Sequence, residues 1–135
     1  MSAGLTVRQF GSLKCSVVED RDVQNPPLLV ILNHGFGASG EDLVDFGPWL
    51  MEGSATLTAG CRFVFPEAPI DLTCLGMAGA RARWPINMAK LAEISQTQNF
   101  EELTLLNPPG MDRATSLLEH TIREMQREWG YSDAA

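Results

Sequence analysis

Residues 28–40 read LLVILNHGFGASG, and no other stretch constrains the fold as strongly. Leu28–Leu32 is an unbroken aliphatic run with apolar side chains for both faces, as expected of a strand inside a parallel sheet. The run stops at Asn33-His34, enters a glycine turn at Gly35-Phe36-Gly37, and leaves through Ser39-Gly40-Glu41-Asp42. Ser39 and Asp42 stand at the spacing of a capping box, which predicts a helix start. A strand, a glycine turn and a helix in that order leave backbone N–H groups bare at the bend. Such a bend holds negative charge, either a ligand's or one that develops during a reaction.

The neighbouring patterns place this joint in an α/β chain. Leu5–Phe10 and Leu13–Val18 alternate, and Gly11-Ser12 separates them at hairpin spacing. Asp20–Pro27 reads as a polar loop. Leu43, Phe46 and Leu50 fall on one helical face, with Pro48 bending or splitting that helix. Arg62–Phe65 predicts a strand closed by Pro66-Glu67-Ala68-Pro69, and Ile70–Pro85 a long loop. Asn87 caps a helix to about Gln98, and a second loop ends at Asn107-Pro108-Pro109-Gly110. Ala114, Leu117, Leu118, Ile122, Met125 and Trp129 form one apolar stripe on a last helix, which Gly130 stops. This order predicts a mostly parallel sheet with an N-terminal antiparallel hairpin and flanking helices. A terminal helix in such a layout leads into another strand. The expectation is therefore one incomplete domain, residues 1–135, ending before that strand.

Charge and cysteine usage narrow the function classes. The net charge is −7 and the ten Lys and Arg are scattered, which excludes a phosphate-backbone footprint and predicts no nucleic-acid partner. Leu28–Leu32 is far too short for a membrane span, so no transmembrane segment is expected. Met1–Phe10 lacks the basic-then-apolar order of a signal peptide. Cys15, Cys61 and Cys74 are odd in number and widely spaced, which reads as reduced thiols in a cytoplasmic protein. There is no Cys-x-x-Cys, and His34 and His120 are the only histidines, so no metal site is expected.

The glycine joint supports two chemistries. Gly35-x-Gly37-x-x-Gly40 is a literal dinucleotide fingerprint after a strand, with Glu67 at the end of the next strand as a carboxylate for a ribose hydroxyl. Three details oppose this reading. Asn33-His34 separates the strand from the first glycine, Glu41 and Asp42 put negative charge where a pyrophosphate would sit, and Glu67 lies behind Pro66. The second reading is one half of an oxyanion hole, in which the backbone N–H of Phe36 is the donor and the flanking glycines permit the turn. One such donor is worth about 3–4 kcal/mol to a tetrahedral acyl intermediate.

Several segments in order carry a resemblance. They are Leu32-Asn33-His34-Gly35-Phe36-Gly37-Ala38, Gly40-Glu41-Asp42-Leu43, Phe65-Pro66-Glu67-Ala68-Pro69, Arg81-Ala82-Arg83-Trp84-Pro85-Ile86, and Pro109-Gly110-Met111-Asp112 with the last helix. Across residues 28–130 the chain resembles the phospholipase/carboxylesterase family of α/β-hydrolases, which includes acyl-protein thioesterases. The resemblance implies the N-terminal portion of an α/β-hydrolase fold, with hydrolysis of a small carboxylic ester or acyl thioester through an acyl-serine in the full-length form and no cofactor. It implies Phe36 N–H as the oxyanion donor, and His34, Gly35, Gly37 and Trp84 as residues around the substrate. His34 itself reads as a loop-orienting side chain rather than the base, Trp84 as pocket wall or core plug, and Glu67 as a loop anchor.

The chain departs from the family in one decisive place. No serine stands in a G-x-S-x-G elbow, so nucleophile, acid and base are all absent and the 135 residues alone are expected to be inactive. A smaller departure is Trp84-Pro85-Ile86, where acyl-protein thioesterases carry an aspartate after an aromatic pair. Besides the dinucleotide module, a non-catalytic binding module with this fold is the remaining alternative. In the family fold the nucleophile strand pairs beside Leu28–Leu32. Left bare, that edge is expected to drive self-association.

Overall fold

The computed structural model describes residues 3–104 and 108–134, with only the backbone of residues 103 and 104. It is an α/β fold. Strands β1 (Ala3–Phe10), β2 (Leu13–Asp20), β3 (Leu28–Ile31) and β4 (Cys61–Pro66) form one sheet in the order β1-β2-β4-β3. Helices α1 (Phe46–Gly53) and α2 (Ala55–Gly60) cross from β3 to β4. A short pair, β5 (Ile70–Asp71) with β6 (Arg81–Ala82), precedes α3 (Met88–Thr97), α4 (Glu101–Thr104) and α5 (Met111–Trp129).

The sheet is mixed rather than mostly parallel. The hairpin supplies two of its strands, and β2 then pairs antiparallel with β4. Among the described residues the one crossover, β3 to β4, gives the one parallel pairing. β4 is central and buried along its whole length, whereas β3 is an edge among the described residues and remains half-exposed.

Strand alternation divides the core between two faces. Cys15, Val17, Val64, Leu29 and Ile31 meet Leu118, Met125 and Trp129 of α5 on one face. Val18, Phe63, Phe65, Val30 and Leu32 meet Val44, Met51 and Leu57 on the other. The stripe foreseen on α5 packs onto the first face, centred on a residue that the pattern omitted. Thr121 is fully buried and donates its hydroxyl to Phe10 O at 3.0 Å.

The C-terminal end of α5 is fixed by charge on rings. Arg62, buried on β4, donates through Nε to Glu19 at 2.6 Å and through Nη1 to the Tyr131 hydroxyl at 3.2 Å. Its guanidinium lies 4.3 Å from the Trp129 ring centroid, and Arg8 approaches the same ring at 5.8 Å. The ion pair, the hydroxyl and the ring together compensate the removal of Arg62 from water.

Two further expectations are corrected. No helix begins at Ser39–Asp42; residues 40–45 are successive turns and α1 starts at Phe46. Its buried face is Gly47 and Met51, not Phe46, which is 50% exposed. The long loop expected over Ile70–Pro85 contains β5, a 3₁₀ turn at Thr73–Leu75 and β6. Of the loop expected to end at Asn107–Gly110, Asn107 lies outside the described residues. No described helix is long and apolar enough to cross a membrane.

Candidate functional site

The joint after β3 is held by hydrogen bonds that the sequence does not announce. Leu32 N–H continues the ladder to Val64 O at 2.9 Å, and the chain then bends at Asn33. His34 is buried beneath the bend. Its Nε2 accepts from Ala68 N–H at 3.0 Å, so that nitrogen carries no hydrogen. The ring hydrogen therefore sits on Nδ1, 3.0 Å from Gly35 O. Both ring nitrogens are committed to backbone groups, and the imidazole ties the glycine turn to the turn after β4.

The turn itself spans Gly35–Ala38 and is closed by Ala38 N–H to Gly35 O at 3.2 Å. Gly37 has φ +82°, the value that the third position of a type II turn demands and that glycine supplies without strain. Gly37 N–H donates to Arg81 O and Arg81 N–H to Ala38 O, both at 3.0 Å, so β6 pairs with the turn. Several N–H groups of the joint are left without a protein acceptor among the described residues, those of Ser39, Gly40 and Glu41 included. Among the described residues, the N–H groups of Gly35 and Phe36 donate to no protein acceptor, and both residues are exposed. The Phe36 side chain is 39% exposed.

Arg81 anchors this assembly with its side chain as well. Its Nε donates to Ala68 O at 2.7 Å and lies 3.3 Å from Glu67 Oε1, and Nη2 reaches Pro69 O at 3.3 Å. Arg83 donates Nη2 to Pro66 O at 2.8 Å, while its buried Nη1 has no partner. Two of the four residues in Pro66-Glu67-Ala68-Pro69 lack an N–H, so the segment has carbonyls in excess of donors. Arg81 and Arg83 supply the missing donors. Their spacing in an apolar loop was the available signal for this role, and sequence reading passed over it.

Trp84 follows β6 by two residues and is half-buried. The chain packs there against the N-terminus of α5. A Cβ on Gly110 would lie 3.1 Å from Pro85 Cδ and 3.6 Å from Trp84 Cβ. No ring contact joins Trp84 to Phe36 among the described residues. The expected substrate residues thus separate into a turn, Gly35–Gly37, with His34 as its support, and an aromatic on a neighbouring loop.

Burial pushes the Cys15 thiol up to about 11, with the Arg83 guanidinium opposing the shift in part. The same desolvation raises Cys61 and lowers Arg83. Neither buried thiol is suited to nucleophilic attack at neutral pH. Among the described residues neither histidine hydrogen-bonds to a serine or cysteine, and no three His, Cys, Asp or Glu are grouped to hold a metal ion.

The dinucleotide reading draws no support from this geometry. A pyrophosphate needs a helix N-terminus behind the glycines, and α1 begins at Phe46, well past Gly40. Gly40 is pressed against the Glu67 side chain, which itself faces Arg81. Compared with models of protein families, with curated proteins and with solved structures, the chain matches none.

Proposed function

We propose that this chain is the N-terminal part of an α/β-hydrolase of phospholipase/carboxylesterase type. The full-length protein hydrolyses a small carboxylic ester or acyl thioester through an acyl-serine. The observation that carries this reading is the unpaired Phe36 N–H on a turn held from both sides, by His34 through Ala68 and by Arg81 through Gly37 and Ala38. A donor that stabilises developing negative charge must be free of protein acceptors and fixed before the reaction begins. Phe36 meets both conditions. The nucleophile strand would pair beside β3, and the acid and base would come from the residues after it. The 135 residues contain no G-x-S-x-G, so they contribute the turn and part of the acyl wall.

The test begins with the coding sequence beyond Ala135, which should encode a G-x-S-x-G within about twenty residues of Gly130. The extended protein should cleave p-nitrophenyl esters and react with a fluorophosphonate, whereas the 135-residue chain should do neither. Phe36→Pro in the extended protein removes the proposed donor at the second position of a turn, where proline is well accommodated. It should lower kcat by about 10²–10³ with little change in thermal midpoint. An extension without the elbow, or an unchanged kcat in that variant, overturns the proposal.

A further inference from the structure

Helix α1 shows the sheet one face and leaves the other bare. Gly47 packs so closely on β2 that a Cβ there would meet Val18 Cγ1 at 2.9 Å. On the far side Phe46 is 50% and Trp49 66% exposed, with their rings edge to face at 6.2 Å and 89°. Trp49 divides two open recesses. One, of about 360 Å³, is lined by Asp45, Phe46 and Trp49. The other, of about 430 Å³, includes Trp49, Leu50, Glu52 and Leu57. Asp45, Trp49 and Glu52 follow at i, i+4 and i+7, so each recess combines an aromatic wall with a carboxylate on one helical face.

The charge around this face has one sign. Residues 35–60 contain Glu41, Asp42, Asp45 and Glu52 and no Lys, Arg or His. All four carboxylates are exposed, and none forms an ion pair among the described residues. Exposed ring faces are themselves negative and attract a guanidinium or ammonium. A second copy that presented the same face would bring the same four carboxylates to the contact. An anionic lipid surface would be repelled in the same way.

We propose that this face of α1 docks a basic segment of a partner protein, which lays an Arg or Lys side chain into each recess against Trp49. Apolar residues of the segment then cover Phe46 and Leu50. The surface does not depend on the hydrolase reading, since it involves neither the glycine turn nor its supports.

The probe is a short N-acetylated peptide of Arg, Leu and Gly, titrated into the full chain while the Trp49 indole N–H is followed by NMR. Trp49→Ala assigns that resonance and, as a change at an exposed position, should leave the remaining amide spectrum intact. The expected result is a saturable shift at submillimolar peptide, weakened about tenfold by moderate salt. Asp45→Asn with Glu52→Gln should also weaken binding about tenfold. Asp45 makes no capping hydrogen bond, so these changes spare the helix start. The same peptide with citrulline for arginine should not bind. The proposal is overturned by no shift at millimolar peptide, by equal binding of the citrulline peptide, by equal affinity in the double variant, or by a shift that follows protein concentration alone. A response to phosphatidylcholine vesicles but not to the peptide also overturns it.

Discussion

A Cβ on Gly40 would stand 2.7 Å from Glu67 Cγ and 2.8 Å from Glu67 Cβ, distances that force Glu67 away from Arg81. At Gly35 the same atom would meet nothing within 4 Å. Gly40→Ala should therefore cost about 1–3 kcal/mol in urea denaturation, while Gly35→Ala should stay within about 0.5 kcal/mol of the parent. Equal effects would mean that Gly40 and Glu67 are not packed as described. The glycine spacing was legible in the sequence, but its reasons were not. Gly37 serves a positive φ and Gly40 a close approach, and the second depends on a side chain from the segment after β4. The cysteines make a separate prediction. Cys15 rises from its ordinary 9.0 to about 11 through burial. The unfolded chain gives up that proton first, so folding stability is full below about pH 9 and falls as pH rises towards 11. Cys61 and Tyr131 are raised by burial as well and act in the same direction. Urea midpoints should drop between about pH 9 and about pH 11, and less steeply in Cys15→Ala. A flat profile in the parent would contradict the burial of these groups.

Pro48 explains why α1 begins where it does. Proline offers no N–H, so it is tolerated in the first turn of a helix and not in its interior. A helix from Ser39 would have placed Pro48 well inside it. The chain instead makes 3₁₀-like turns, with Asp42 N–H to Ser39 O, Val44 N–H to Glu41 O and Phe46 N–H to Leu43 O, which lead into α1 at Phe46. The apolar periodicity of Leu43, Phe46 and Leu50 was real in the sequence, but Gly47 decided which side could approach β2. Elements with their own end signals were read more closely. Asn87 does cap α3 by accepting from Lys90 N–H at 3.0 Å, and Gly130 does end α5 in the left-handed region. In α5 the unread residue was Thr121, because a hydroxyl in an apolar stripe reads as an interruption. Its bond to Phe10 O fastens the helix to the end of β1 in a fully buried place. Thr121→Val keeps the shape and removes this donor from a carbonyl that also stands at the closing pair of the β1–β2 hairpin. It should destabilise the fold by about 0.5–1.5 kcal/mol in thermal or urea melts. No loss would show that Phe10 O is satisfied without Thr121.

The order β1-β2-β4-β3 leaves β3 exposed along one side, and its parity defines what it offers. Leu32 N–H donates to Val64 O, so Val30 and Leu28 also turn their polar groups to β4. Leu29 and Ile31 turn theirs outward. Beneath them a groove of about 300 Å³ runs between β3 and α5, lined by Leu29, Ile31, Ile122 and Tyr131 among others. The helix thus reaches beyond the last strand of the sheet. Tyr131 donates its hydroxyl to Pro26 O at 2.6 Å, which returns the chain after α5 to the start of β3. A strand added here would satisfy the outward groups of Leu29 and Ile31 and bury its own apolar side chains under α5. In the full-length protein proposed above, that is the place of the nucleophile strand. In the 135-residue chain another molecule can take it, and association should increase with concentration in sedimentation velocity. Leu28→Lys puts a charge on this edge at an exposed position, the means by which natural edge strands avoid pairing. That variant should sediment as a monomer at concentrations where the parent associates, with an unchanged far-UV spectrum. Hydrogen exchange locates the contact independently. The amides of Leu29 and Ile31 should exchange rapidly in the monomer and slow on association, while Leu32 stays protected in both states. Association that persists in Leu28→Lys, with Leu29 and Ile31 still exchanging rapidly, would move the contact to another surface.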